Sequence, residues 1–179
     1  MRIWTIGHSN RSIEEFIAAL RANAIEQLVD VRRFPASQHN PQFAEQSVRD
    51  SLRDAGIEYR WMGKELGGRR STSKSSPNVA LRNASFRGYA DYMLTSEFHG
   101  GIESLRELAA MKRTAIMCAE LLWWRCHRSM ISDYLTGIFS DEVTHIRDAE
   151  YSEPHKLKDI ARIDGQRLIY DAGAGDALF

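Results

Sequence analysis

The chain has 179 residues, 43% of them apolar, and a formal net charge of zero, which fits one domain with a sizeable core. No apolar run reaches the roughly 18 residues of a membrane span, and Met1-Arg2-Ile3-Trp4 lacks the apolar core and cleavage site of a signal peptide. Two cysteines eight residues apart make no disulfide framework, so a soluble, cytoplasmic protein with reduced thiols and no membrane partner is expected.

Ile3-Trp4-Thr5-Ile6 reads as a first buried strand that ends at Gly7-His8-Ser9. Ser12-x-x-Glu15 is a capping box, and Ile13, Phe16, Ile17 and Leu20 recur at helical spacing. Leu28-Val29-Asp30-Val31 gives a second strand, which runs out into Arg32-Arg33-Phe34-Pro35. Asn40-Pro41 is expected to open a second helix, with Val48, Leu52 and Ala55 on its apolar face and Gly56 as its stop. Residues 57–62 form a third strand, in which Trp61 is expected to be core. After Gly63-Lys64-Glu65-Leu66-Gly67-Gly68 comes a polar Ser/Thr/Lys stretch, so residues 63–85 are expected to form a basic, mobile loop or lid. Helices are predicted over 86–94 and 97–111, a fourth strand over 114–118, and a helix with Met130, Ile131, Tyr134, Leu135 and Ile138 on its apolar face. A fifth strand over 143–146 and a hairpin around Asp164-Gly165 follow. Ala172-Gly173-Ala174-Gly175-Asp176 reads as a tail and not as a cofactor loop. This order predicts one three-layer α/β domain over residues 1–179. It has a mainly parallel sheet, helices on both faces and a small C-terminal hairpin.

The chemistry concentrates in Cys118-Ala119-Glu120 and Cys126-His127-Arg128. The first block ends a strand and the second opens a helix, which is where α/β proteins bind ligands. Cys126 is the candidate nucleophile, since a helix N-terminus and Arg128 both favour a thiolate. His127 or His8 is the candidate proton acceptor, with Glu120 orienting it, and Asp30 stands at the end of the second strand on the same edge. Cys118 is expected in the core, and His39, His99, His145 and His155 at the surface.

Charge is uneven along the chain: residues 1–128 hold 19 basic and 14 acidic residues, and residues 129–179 hold 5 and 10. The basic stretch includes Arg60, Lys64, Arg69 and Arg70, which with Arg32 and Arg128 predicts an anion-binding surface. Trp123 and Trp124 next to arginines add stacking surface for bases. Zinc or iron could be held by Cys118, Cys126, His127, His8, Asp30 and Glu120, but a Cys–Cys spacing of eight is no finger or ribbon spacing, and no metal is assigned. No Walker loop or dinucleotide fingerprint is present, and no cofactor is expected.

Thr5-Ile6-Gly7-His8-Ser9, Asp30-Val31-Arg32 with Pro35 and Ser37, Gly63–Gly68 and the two cysteine blocks together resemble the bacterial domain-of-unknown-function family 488. The resemblance implies a compact α/β domain and no settled reaction. Leu121-Leu122-Trp123-Trp124 departs from the more polar segment expected between the cysteine blocks. The expected function is a thiol-dependent transferase or hydrolase. Its substrate would be an anion, a nucleotide or damaged nucleic acid such as DNA in repair or processing. The alternatives are a non-catalytic nucleic-acid-binding module and a metal-dependent hydrolase or sensor.

Overall fold

Strand β1 (Arg2–Gly7) is buried from Ile3 to its last residue, so both of its faces must be covered. The computed structural model, which describes residues 1–172, covers them with two helical layers. The chain continues through α1 (Ile13–Ala22), β2 (Gln27–Asp30), α2 (Glu45–Asp54), β3 (Glu58–Trp61) and a single turn, α3 (Gly63–Leu66). Then come α4 (Ala84–Tyr92), α5 (Ser96–Met111), β4 (Thr114–Cys118), α6 (Arg128–Phe139) and β5 (Glu142–Ile146). A short β6 (Ser152–Pro154) and the hairpin β7 (Ala161–Asp164) and β8 (Arg167–Tyr170) complete it. The Ser12–Glu15 capping box forms as predicted, each side chain accepting from the other residue's backbone N–H.

The main sheet has the order β3-β2-β4-β1-β5-β6. Its first five strands are parallel and β6 is antiparallel at the edge. Successive strand residues serve opposite faces, as a period of two requires. Trp4, Ile6, Leu28 and Met117 pack under Phe16 and Leu20 of α1 and Val48 and Leu52 of α2. Ile3, Val29 and Ile116 pack under Tyr89, Phe98, Ile102, Met130 and Ile131 of α4, α5 and α6. The α/β class, the mainly parallel sheet, its two helical faces and the small hairpin follow the sequence pattern.

This topology creates a site before any side chain is considered. The chain leaves β1 and β2 toward the α1/α2 layer, but it leaves β4 toward α6 in the opposite layer. Since β4 lies between β2 and β1, its C-terminal end is flanked by diverging connections on both sides. Open parallel sheets bind ligands at such switch points.

Several details differ from the sequence pattern. Pro41–Phe43 is a separate 3-10 turn, and α2 starts only at Glu45, because Ala44 between them is extended. Trp61 is 42% exposed, since β3 is an edge strand and its ring lies outside the helical layers. Within the stretch expected to be a loop, Gly63–Leu66 forms α3, and Ser73 N, Ser76 Oγ and Asn78 Nδ2 all donate to Asp91 of α4. Asn78 also accepts from the backbone of Tyr170 at 3.0 Å. Of the predicted tail, residues 173–176 lie outside the described residues. No helix among the described residues is long and apolar enough to cross a membrane.

Leu52 is fully buried between α2 and the sheet. Leu52→Ala should therefore cost about 2–5 kcal/mol in urea denaturation, with an unchanged slope if the cavity is the only defect.

Candidate functional site

At the end of β4 the chain turns through a 3-10 turn (Trp123–Arg125) and enters α6. This loop folds both thiols back onto one imidazole. His127 Nδ1 lies 3.6 Å from Cys126 Sγ and 3.9 Å from Cys118 Sγ. On its other side His127 Nε2 donates to the Val31 carbonyl at 3.2 Å. A carbonyl only accepts, so Nε2 carries the hydrogen and the Nδ1 lone pair faces the sulfurs.

The two thiols exchange the places that their sequence positions suggest. Cys118, expected in the core, lines an open cleft. Cys126, expected to face a ligand, is 5% exposed behind it. Cys118 is the last residue of its strand and is only partly covered by the helical layer it packs against. Cys126 is extended (φ −129°, ψ 152°) and turned inward by the 3-10 turn before it. Burial pushes the Cys126 thiol up. The hydrogen bond from Cys118, the neighbouring His127 and the Arg128 charge outweigh burial and hold Cys126 well below the ordinary thiol value. Cys118 is pushed up by that same contact with Cys126 and by burial. As a unit, the pair gives up one proton easily and holds the second tightly.

Beside the thiols lies a second cluster, built on β1 and β2. Asp30 is fully buried and receives Arg32 Nε at 2.9 Å, Arg32 Nη2 at 2.6 Å and the Tyr59 hydroxyl at 2.8 Å. Asp30 is thus occupied by Arg32 and does not line the cleft; Arg32 does. His8 donates from Nδ1 to the Ser9 carbonyl at 2.8 Å and stacks on Phe43 at 4.3 Å. With Nδ1 donating, Nε2 is its acceptor and takes Arg32 Nη1 at 3.2 Å. Burial, with the nearby Arg32 charge, lowers the His8 pKa to about 4, so the ring is neutral near pH 7.

The cleft encloses about 650 Å³ over these groups. Arg33, Arg69 and His39 form its basic rim with Arg32, and Glu120 is the acid that faces it. Phe34 is 62% exposed on the rim, with the guanidinium of Arg33 at 5.9 Å and that of Arg69 at 5.7 Å from its ring centre. Ser9 and Arg69, both on the cleft, hold left-handed backbone angles (φ 51° and 60°), a conformation that costs about 1–3 kcal/mol and gathers at functional sites.

Arg128 is buried and acts as a brace. It donates from Nη2 to the Glu120 and Leu121 carbonyls and from Nη1 to Thr5 Oγ1. Gly7 is required beneath it, because a β-carbon there would collide with the Glu120 carbonyl. The brace continues inward. Thr5 Oγ1 donates to His145 Nδ1 at 2.8 Å, His145 Nε2 to His155 Nδ1 at 3.0 Å, and His155 Nε2 to Asp133 Oδ1 at 3.0 Å. His145 and His155 are thus buried and not at the surface, because each ring nitrogen finds a partner across β1, β5 and α6. Burial and then the neighbouring His155 depress the His145 pKa strongly.

Other predicted residues are not brought to the thiols. Arg60, Lys64 and Arg70 line a separate surface hollow beside Tyr92, and Arg70 is committed to the Gly67 and Lys64 carbonyls. Trp123 stacks flat on His145 at 4.0 Å, and the exposed Trp124 meets Arg147; neither lines the cleft. Arg33, Phe34 and His39 are cleft residues that the pattern analysis did not single out as site residues. Their signal was the Arg32-Arg33-Phe34 run at a strand end.

The molecule is thus a parallel α/β domain with a thiol–imidazole cleft at the switch point of its sheet. The chain belongs to the family described as Domain of unknown function DUF488, whose model matches residues 12–135. No curated protein and no solved structure matches it.

Two outcomes follow from the buried polar groups. Asp30→Ala strands the Arg32 guanidinium and should cost about 3–5 kcal/mol in equilibrium unfolding. The native pKa values of His8 and His145 lie below the unfolded value near 6.5, so the unfolded chain binds more protons. Their contribution is complete above pH 6.5 and is lost as pH falls toward 4. Denaturation midpoints measured across that window should fall, and His8→Gln should flatten part of the slope.

Proposed function

We propose that this protein is an enzyme whose cysteine-centred cleft acts on an anionic substrate, a nucleotide or nucleic-acid segment, as a thiol-dependent transferase or hydrolase. One observation carries the reading. A cleft-facing thiol and a correctly oriented imidazole lie at the floor of a cleft rimmed by three arginines. Cys118 is the reacting group in this reading, and Cys126 supports it from behind. The Cys118 sulfur forms the bond to the electrophilic centre of the substrate, and its proton passes to the His127–Cys126 pair. The leaving group departs with the electrons of the broken bond and takes up the proton that the His127–Cys126 pair received from Cys118.

The rim supports the substrate class. Arginine forks suit phosphate oxygens, and an exposed Phe34 between two guanidinium groups offers a stacking face for a base. Arg32, pinned by its ion pair with Asp30, forms a fixed part of the cleft wall, and Arg33 and Arg69 supply the positive charge of the rim that is unpaired among the described residues. Two free, adjacent thiols fit a reducing compartment, such as the cytoplasm. Processing or repair of nucleic acid, including DNA, is a role this chemistry fits.

Binding of a short fluorescent single-stranded oligonucleotide and of mononucleotides tests the substrate class. Affinity should fall steeply with salt, and Phe34→Ala should weaken it by about 1–3 kcal/mol. Equal affinity of wild type and a Phe34→Ala/Arg69→Ala double variant would overturn the reading. Cys118→Ser should retain binding and abolish turnover, whereas a non-catalytic module would show no effect of that change in any assay.

A further inference from the structure

We infer that Cys118 Sγ, Cys126 Sγ and His127 Nδ1 form a three-ligand site for a soft divalent cation, zinc first, whose fourth position opens onto the cleft. The inference concerns the regulation of the proposed thiol centre. It shares that reading's residues but does not need its chemistry.

The geometry is the primary argument. Zinc binds thiolate sulfur at about 2.3 Å and imidazole nitrogen at about 2.0–2.1 Å, tetrahedrally. Those bond lengths separate sulfur from nitrogen by about 3.6 Å and sulfur from sulfur by about 3.8 Å. Here the two S···N separations are 3.6 and 3.9 Å, and the three atoms all lie within 4.8 Å of one another. The side chains therefore stand at metal-binding spacing with little movement needed.

The orientation of His127 is a second, independent observation. Ligating histidines fix their ring by donating the other N–H to a carbonyl or carboxylate. The Nε2 contact to Val31 does this and leaves the Nδ1 lone pair toward the sulfurs. The hydrogen-bond count points the same way. Both sulfurs converge on a single Nδ1 lone pair, which cannot satisfy both of them. A divalent cation replaces both thiol protons, releases them to solvent, and uses all three lone pairs.

Access is provided by a glycine. A β-carbon at Gly68 would stand 3.2 Å from His127 Nδ1. Its absence leaves room beside the nitrogen, where a metal and its fourth ligand enter from the cleft. Cys118 and His127 line that cleft, and Cys126 closes the site from within. Three protein ligands with one open position is the pattern of exchangeable or catalytic zinc, as distinct from a closed structural site. The fourth ligand is water or an oxygen of the anion that the arginine rim holds. A bound cation ties up the Cys118 sulfur, so metal occupancy and thiol attack are alternative states of one cluster.

The test uses the full chain, stripped with chelator and titrated with zinc, and with cobalt as a spectroscopic probe. One equivalent should bind, and cobalt should show thiolate charge transfer and the ligand-field bands of tetrahedral coordination. Zinc should protect Cys118 from alkylation. Cys118→Ser, Cys126→Ser and His127→Asn should each weaken binding by more than the roughly 10–100-fold that loss of an outer partner costs. If Cys126→Ser fails to fold by circular dichroism, Gly68→Val keeps all three ligands and should still weaken binding by crowding the fourth position. Absence of stoichiometric binding, or full affinity retained in Cys118→Ser and His127→Asn, overturns the metal site. That outcome leaves alkylation of Cys118 and oligonucleotide binding unaffected, so the enzyme reading stands or falls separately.

Discussion

The guanidinium of Arg128 holds the loop between β4 and α6 against β1, and the placement of the two thiols and His127 depends on it. One cation takes two carbonyls of the loop and the hydroxyl of Thr5. Without that grip nothing fixes the path from Cys118 to Cys126, and the thiols would not share an imidazole. A buried charge is tolerable only when it is hydrogen-bonded. Here the carbonyl oxygens do that work, and Thr5 passes the polarity on through His145 and His155 to Asp133. Each ring donates in the same direction along this chain, toward the Asp133 carboxylate.

The two buried polar systems have different tasks. Asp30, Arg32, Tyr59 and His8 set a rigid, internally paired polar wall beside the cleft, with Asp30 spent on orienting Arg32. The Arg128 chain sets the loop that carries the thiols. Burial keeps both His8 and His145 uncharged near neutral pH.

Local signals in the sequence were legible. The Ser12–Glu15 capping box and the two-residue alternation of the strands are encoded within a few residues of where they act. They give the fold class, and with it the edge on which the site lies. The difference in exposure between Cys118 and Cys126 was not legible, because it depends on where a nine-residue segment turns, and Arg128 decides that through contacts with β1. His145 and His155 look like surface residues for the same reason. Their partners are Thr5, 140 residues away, and Asp133, 22 residues away. β6 carries no apolar residue, and only its pairing with β5 makes it a strand.

The direction of β1 has a practical consequence. The strand starts at Arg2, and the Met1 ammonium group is held by Asp141 at 3.2 Å. Six residues at about 3.3 Å each separate that point from His8 and the cleft. A handle or surface attachment joined ahead of Met1 would leave from the opposite edge of the sheet. It would give up the Met1 ammonium contact to the buried Asp141, which keeps its pairing with Arg106, and leave the mouth of the cleft facing free solvent.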